Sequence, residues 1–185
     1  MKFGIVIGSV REGRRGEEVA QWVYSIASQR EGVEYSVIDL AAFDLPLLTD
    51  ATIPAAANRH YATAQVQAWS EAIDECDGFV FITPEYNHGI PGAFKNAFDS
   101  IYPEWNHKGL LLVSYGADSG VRAVEHWRTV AANALLYVTR GQVSLSNFAE
   151  FDDDGRFTPD ERRVDELAGC LDQLESLTRA VAVLR

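Results

Sequence analysis

The chain alternates short apolar runs with longer segments in which apolar residues recur at helical spacing. The apolar runs predict five strands, at residues 2–7, 34–39, 78–83, 110–115 and 142–145. The other segments predict helices near residues 15–29, 61–75, 91–100, 121–136 and 159–184, the last capped by Thr158 with Pro159 at its first position. The strand runs are continuous rather than alternating, which is typical of parallel strands covered on both faces.

Five strands with helices between them predict an α/β doubly wound sandwich, formed by one domain that spans residues 1–185. In such a sheet the ligand site lies beyond the carboxyl ends of the strands, where the strand order reverses. Function is therefore expected in the loops at residues 8–16, 84–92 and 116–120. For residues 41–58 we expect an irregular surface connection, and the alternative is a lid over the site.

Composition and charge narrow the choice of partners. The chain has 185 residues, 47% of them hydrophobic, and a formal net charge of -11. Binding to nucleic acid or to an anionic membrane needs a cationic face, so neither partner is expected. No secretory signal and no apolar run of membrane-spanning length is recognisable, so we expect a cytoplasmic protein. Cys76 and Cys170 are expected to be buried, reduced thiols.

The first of the three loops is rich in arginine, although the chain as a whole is acidic. It reads GSVREGRRG at residues 8–16 and directly precedes a predicted helix, whose N-terminus offers unpaired amide donors. Ser9 adds a hydroxyl and Arg11 a bidentate guanidinium, a combination suited to a phosphate monoester. A Walker lysine is missing, and the glycine intervals do not match a dinucleotide fingerprint, for which Asp39 is only weak support. The alternative is that the arginines merely solvate a surface turn.

The second loop carries the more specific pattern. Residues 83–92 read TPEYNHGIPG, in which two prolines and two glycines fix an extended loop at the edge of the sheet. Such a loop can present backbone amides to a flat heterocycle. Together with the Gly-Ser-x-Arg run upstream, this pattern closely resembles the NADPH-dependent FMN reductase family, which also includes chromate, quinone and azo-dye reductases. The resemblance extends from about Gly4 to the final helix.

The resemblance implies a flavodoxin-like three-layer sandwich with a five-stranded parallel sheet in the order 2-1-3-4-5. It implies that Ser9 and Arg11 hold the phosphate of FMN. It further implies that a second group of residues lines the isoalloxazine, namely Pro84, Glu85, Tyr86 and Asn87 after the third strand and Ser114, Tyr115 and Gly116 after the fourth.

One departure concerns the phosphate loop, because many members carry Ser and Asn or Thr where this chain has Arg14 and Gly16. Arg15 and Gly16 are expected to contribute to phosphate binding. The sequence does not show which of Arg14 and Arg15 points inward.

The expected activity is hydride transfer from NADPH or NADH to bound FMN, followed by electron transfer to a soluble quinone, azo compound, metal oxyanion or free flavin. A ping-pong order is expected, and no side chain is expected to act as a catalytic acid, base or nucleophile. The alternatives are a flavodoxin-like electron carrier, disfavoured by the arginine-rich loop, and a flavin-free regulatory domain. The aromatic run at residues 101–105 and the resemblance together predict a homodimer or a dimer of dimers.

Two further patterns carry less weight. Residues 150–155 with Glu161 come near the spacing of a calcium-binding loop, but a solvated acidic turn is the expected outcome. The histidines are scattered without metal-ligand spacing, so no metal site is expected.

Overall fold

The computed structural model describes residues 1–185 and contains one five-stranded sheet. The strands are β1 (Lys2–Ile7), β2 (Glu34–Asp39), β3 (Gly78–Pro84), β4 (Lys108–Gly116) and β5 (Leu136–Ser146). All neighbouring strands are parallel, and their order across the sheet is β2-β1-β3-β4-β5. The order reverses between β1 and β3, so the loops after these strands flank the switch point. The flavodoxin-like sheet order is confirmed.

Five helices cover the two faces of the sheet, so the fold has three layers: α1 (Gly16–Ala27), α2 (Ala64–Asp74), α3 (Gly92–Asp99), α4 (Val121–Asn133) and α5 (Arg162–Val181). Helices α1 and α5 pack on one face over aliphatic strand residues. Helices α2, α3 and α4 pack on the other over a core rich in tryptophan and phenylalanine. None of the helices is long and apolar enough to cross a bilayer.

Strand β5 begins earlier than the sequence predicts, and α4 ends earlier. Helix α4 stops at Asn133, and the chain reverses through Leu135, which has a φ of +53°. The register between β4 and β5 shifts between Leu110 and Leu112, because residues 139–141 bulge out of the strand. Arg128 of α4 donates to the carbonyl oxygens of Thr139 and Arg140, so a non-local side chain satisfies the bulge.

Helix α5 begins at Arg162, so the predicted start at Pro159 with a Thr158 cap is wrong. Residues before the helix are held in an extended path by Glu150. The carbonyl oxygen of Glu150 accepts from Thr158 N, and its side chain accepts from Asp160 N at 3.0 Å. The first turn of the helix is instead supported by Asp160, whose carboxylate accepts from Arg162 N.

The segment between β2 and α2 is a surface connection anchored to the helices beneath it. The Asn96 side chain of α3 donates to Pro46 O and accepts from Leu48 N, both at 2.9 Å. The Phe43 ring packs edge-on against Trp69 of α2. These contacts hold residues 43–48 against α2 and α3.

Candidate functional site

The loop after β1 turns back on itself to enter α1. Gly13 at its outer turn has a φ of +65°, a conformation that disfavours side chains with a Cβ. Ser9 is buried, with only 1% of its surface exposed, and its hydroxyl oxygen lies 3.4 Å from the Arg11 nitrogen. No side chain caps the first turn of α1, so its amide donors face the loop. The predicted phosphate loop therefore has the form of an anion-binding cradle.

Arg14 stabilises this loop through contacts on the side away from the solvent. Its guanidinium donates to Ser9 O at 2.7 Å, to Glu17 at 2.7 Å and to Asp39 at 2.6 Å. Only 9% of the Arg14 side chain is exposed. Arg14 thus connects the ends of β1 and β2 to the first turn of α1. Asp39 is occupied by this ion pair, which removes the weak support it gave to ribose binding.

Arg11 and Arg15 are the two loop arginines that form no ion pair. The Arg11 guanidinium carbon lies 5.7 Å from the centre of the Tyr86 ring, and that of Arg15 lies 4.5 Å from the centre of the Phe151 ring. In a protein of net charge -11 these two side chains supply uncompensated positive charge at the loop.

The loop after β3 forms a tight two-residue turn. Tyr86 and Gly89 exchange two backbone hydrogen bonds of 3.1 Å around Asn87 and His88. Both central residues have positive φ, +48° and +72°, which defines a type I′ turn. The turn projects Asn87 and His88 into solvent, while the Tyr86 hydroxyl reaches back to lie 2.6 Å from Ser9 Oγ. The two predicted motifs are therefore in direct contact.

Glu85 connects the loop after β3 to the loop after β4. Its side chain is 7% exposed and accepts from Arg122 N at the start of α4 at 3.0 Å, while its carboxylate also pairs with the Arg122 guanidinium. Asp118 makes a second ion pair with Arg122. The Glu85 carboxylate is thus fully engaged with α4. The resemblance gives the main chain of this run a role beside the flavin ring, and that role remains a prediction.

The residues after β4 occupy distinct positions. The Ser114 hydroxyl donates to Ser119 O at 2.7 Å and so stabilises the turn into α4. Gly116 lies at the edge, where its carbonyl oxygen accepts from Ser119 N and Asn147 N. Tyr115 points its hydroxyl at Gly16, the first residue of α1.

Sequence reasoning did not single out Arg122 or Asn147, although both lie at this edge of the sheet. The Nε atom of Arg122 and the side-chain oxygen of Asn147 are buried without a hydrogen-bond partner. Asn147 follows a strand whose full length the sequence did not reveal. No local motif marks either residue, because each is brought to the site by pairing between distant strands and loops.

Comparison with known proteins agrees with this geometry. The family profile of the NADPH-dependent FMN reductases matches residues 1–150. The chain belongs to the NADPH-dependent FMN reductase family.

Individual reductases are similar to this chain over most of its length. An NAD(P)H-dependent FMN reductase of Schizosaccharomyces pombe is 36% identical over 145 residues, 78% of this chain and 72% of that protein. An NAD(P)H:quinone oxidoreductase of Solanum tuberosum is 31% identical over 173 residues, 88% of this chain and 86% of that protein. The structure of FerB, a flavoenzyme NAD(P)H:(acceptor) oxidoreductase of Paracoccus denitrificans, matches with a TM-score of 0.70 and 22% identity, covering 98% and 97% of the two chains. At that identity the last likeness shows the fold alone.

Membership of the FMN reductase family confirms the resemblance drawn from the loops at residues 8–16 and 83–92. The members of this family are oxidoreductases that use FMN and NAD(P)H. The individual site residues remain predictions. The structure brings them to one edge of the sheet, with the loops after β1, β3 and β4 joined by the Ser9–Tyr86 and Glu85–Arg122 contacts.

Other features of the chain are engaged in the fold. Glu150 is buried in an ion pair with Arg163 at 2.7 Å, and residues 151–157 form a small bridged hairpin in place of a calcium-binding loop. Burial raises the pKa of both the Cys76 and the Cys170 thiol to about 11. A cavity of about 530 Å³ lies under residues 46–63, and none of the predicted flavin-site residues lines it.

Proposed function

We propose that this chain is an NAD(P)H-dependent, FMN-containing oxidoreductase that reduces a soluble small-molecule acceptor in a ping-pong sequence. The acceptor class comprises quinones, azo compounds, metal oxyanions and free flavin. When bound, FMN accepts a hydride from the reduced nicotinamide and passes two electrons to the acceptor. The family membership supports the flavin and its electron donor, and the quinone oxidoreductase relative supports a small-molecule acceptor.

The single observation that carries this proposal is the contact between the two motifs. Ser9 of the cationic loop and Tyr86 of the loop after β3 meet at 2.6 Å, on the two sides of the switch point between β1 and β3. A ligand held there places an anionic group on the first loop and a planar group along the second. FMN has both groups within one molecule, and the donor set fits it.

In this proposal, the residues of the chain bind the FMN and orient it. Arg11, Ser9 and the amides of α1, with Arg15 and Gly16 beside them, hold the phosphate. The backbone of Pro84, Glu85, Tyr86 and Asn87 lines one side of the ring, and the region of Ser114 to Gly116 lies on the adjacent strand. Glu85 fixes the distance between these two loops through Arg122.

No side chain is proposed as an acid, base or nucleophile. His88, which belongs to the loop after β3, lies exposed at the tip of its turn, and the thiols are buried with raised pKa values. Both substrates would use the same exposed ring face in turn, which is the basis of the ping-pong order.

An anaerobic titration tests the activity and separates it from the alternatives. The purified protein is reconstituted with FMN, freed of excess flavin, and mixed with NADPH while the visible spectrum is recorded. We expect the flavin absorption to bleach and to return when a quinone is added. A bound flavin that stays oxidised would indicate an electron carrier, and a protein that retains no flavin would indicate a flavin-free module. Either result would overturn the proposal.

Arg11→Ala is expected to weaken FMN binding, because it removes a charge-assisted contact to the phosphate. The expected loss is about 1.5 to 3 kcal/mol, or roughly ten-fold to over a hundred-fold in Kd. Isothermal titration calorimetry measures it. Arg162→Ala is the matched control, because the Arg162 side chain is 71% exposed at the start of α5. Equal Kd values for the Arg11→Ala variant and the parent would remove Arg11 from the site.

We further propose that the protein is cytoplasmic and assembles as a homodimer or a dimer of dimers. The exposed apolar side chains of the segment before α2 support assembly. Leu47 and Ile53 are 76% and 66% exposed, and Leu47 lines one surface depression with Val10 of the phosphate loop. The two unpaired, buried cysteines are consistent with a reducing compartment.

A further inference from the structure

The Tyr115 side chain runs from the end of β4 towards the phosphate loop. Tyr115 is 6% exposed, and its ring lies in the aliphatic core beside Phe151, with 6.5 Å between the ring centres. A Cβ atom added to Gly16 would lie 2.9 Å from the Tyr115 hydroxyl oxygen. The hydroxyl is therefore packed against the first residue of α1, where the helix presents its free amide donors.

The chemical state of this hydroxyl is fixed by its surroundings. Burial, with a further contribution from Tyr86, raises the pKa of Tyr115, while the nearby Ser9 hydroxyl and Gly16 N–H oppose the rise. Tyr115 is thus a neutral phenol that retains its proton and can donate it in a hydrogen bond. Ser9 and Gly16 act as donors towards the Tyr115 oxygen, so neither of them accepts the phenolic proton.

Two other tyrosine hydroxyls, in contrast, donate to carboxylates. Tyr35 donates to Glu175 at 3.1 Å, and Tyr61 donates to Glu104 at 2.9 Å. The Tyr115 proton has no such carboxylate acceptor, so a ligand bound beside the hydroxyl can supply one. Beside the Tyr115 hydroxyl lies the anion-binding cradle of the first loop, where a bound anion would supply an acceptor oxygen.

We propose that the Tyr115 hydroxyl donates a hydrogen bond to the phosphate group of the flavin held by this loop. The inference rests on the proposed function and deepens it, because it moves Tyr115 from the ring end of the site to the phosphate end. Tyr115 then replaces the hydroxyl or amide side chain that many family members carry on the loop itself, where this chain has Gly16. Gly16 and Tyr115 act as a complementary pair, since a side chain at residue 16 would displace the hydroxyl.

Comparing FMN with riboflavin tests this assignment, because riboflavin keeps the ring and the ribityl chain but lacks the phosphate. Calorimetric titrations with both flavins are made on the parent, Tyr115→Phe and the control Tyr24→Phe, which alters a partly exposed tyrosine of α1. We expect Tyr115→Phe to weaken FMN binding about ten-fold or more and to change riboflavin binding by less than about two-fold. The control is expected to match the parent with both flavins.

Equal losses for FMN and riboflavin would place the hydroxyl at the ring and overturn the inference, as would unchanged FMN affinity in Tyr115→Phe. Gly16→Ala provides an independent variant if Tyr115→Phe fails to fold, because the added methyl group pushes the hydroxyl out of the cradle. It is expected to show the same phosphate-specific loss, and an equal loss for both flavins would again overturn the inference. A parent protein that binds neither flavin would overturn the proposed function itself.

Discussion

At the level of single residues, Glu104 and Lys108 are buried charged side chains without an ion pair, whereas the other buried charges are paired. Arg14 is paired with Asp39 and Glu17, and Glu175 is paired with Arg30. Lys108, at the start of β4, is 3% exposed and has no carboxylate within ion-pair distance. Its ammonium donates to the carbonyl oxygens of Ile73 and Asp74 at the end of α2. Burial lowers the pKa of Lys108 to about 8, an effect that Asp74 partly offsets.

The stability of the protein is therefore expected to rise with pH around this value. Below pH 8, Lys108 is charged in both the folded and the unfolded chain, so the full cost of burying the charge is present. Between the folded pKa of about 8 and the unfolded value of 10.5, the folded protein releases its proton first and is stabilised relative to the unfolded chain. The free energy of unfolding of the parent, minus that of Lys108→Met, should increase by about 1 kcal/mol from about pH 7 to about pH 9.

Urea denaturation at the two pH values measures this difference. Lys2→Met is the matched control, because the Lys2 side chain is 57% exposed and its charge stays in water. A difference between parent and Lys108→Met that stays constant with pH would show that the ammonium is not destabilised by burial.

Single residues also mark the limit of the sequence prediction at the site. Ser9 and Arg11 could be proposed from the loop alone, because the spacing of small and cationic residues is local. The role of Arg14 could not be proposed in this way, because one of its partners, Asp39, lies at the end of β2 and is distant in sequence. The direction of the Tyr115 side chain depends in the same way on how closely α1 approaches β4.

At the level of elements, the turn at residues 86–89 carries conformational strain. His88 has a φ of +72°, in the left-handed region that favours glycine, and it occupies the second central position of a type I′ turn, where Asn-Gly is the preferred pair. His88→Gly is expected to raise the free energy of unfolding by about 1 kcal/mol, because it creates that pair.

Thermal or urea denaturation of the flavin-free protein measures the change. Asn87→Gly is the matched control at the preceding position. A smaller gain is expected there, since asparagine tolerates the left-handed conformation better than most residues. A loss of stability in His88→Gly would mean that the imidazole makes a stabilising contact that outweighs the strain.

The elements whose patterns are local were predicted well, and those that depend on distant contacts were not. β1 and β3 are recognisable because each contains a continuous apolar run. The sequence does not predict the first half of β5, because the bulge at residues 139–141 interrupts the strand pattern and Arg128 of α4 supports it through a non-local contact. The start of α5 was placed too early because Glu150 competes with the helix for Thr158 and Asp160.

At the level of the whole molecule, the aromatic run at residues 101–105 is used inside the subunit. Ile101 and Trp105 are 1% and 0% exposed, and Trp105 stacks on Phe98 with 4.8 Å between the ring centres. These residues therefore do not support the predicted oligomer. Its support now comes from the exposed apolar residues Leu47 and Ile53, which the sequence did not single out as a contact surface.

A homodimer or dimer of dimers is expected at micromolar concentration, and multi-angle light scattering measures the molar mass. The double variant Leu47→Ser, Ile53→Ser should shift the mass towards the monomer, because it removes apolar area from the proposed contact. Val183→Ser is the control, because Val183 is 82% exposed in the turn after α5. A monomeric parent would refute the assembly, and a dimeric double variant would place the contact elsewhere.

The aromatic core beneath the site has an optical consequence. Of the four tryptophans, Trp69, Trp105 and Trp127 are fully buried on the same face of the sheet. Trp127 donates to Thr83 Oγ1 at 3.2 Å, directly below the loop that begins at Pro84. Indole emission overlaps the near-ultraviolet absorption of oxidised flavin. A flavin bound on that loop would therefore quench the fluorescence of these tryptophans by resonance energy transfer. The fold thus carries an intrinsic, label-free reporter of whether its site is filled.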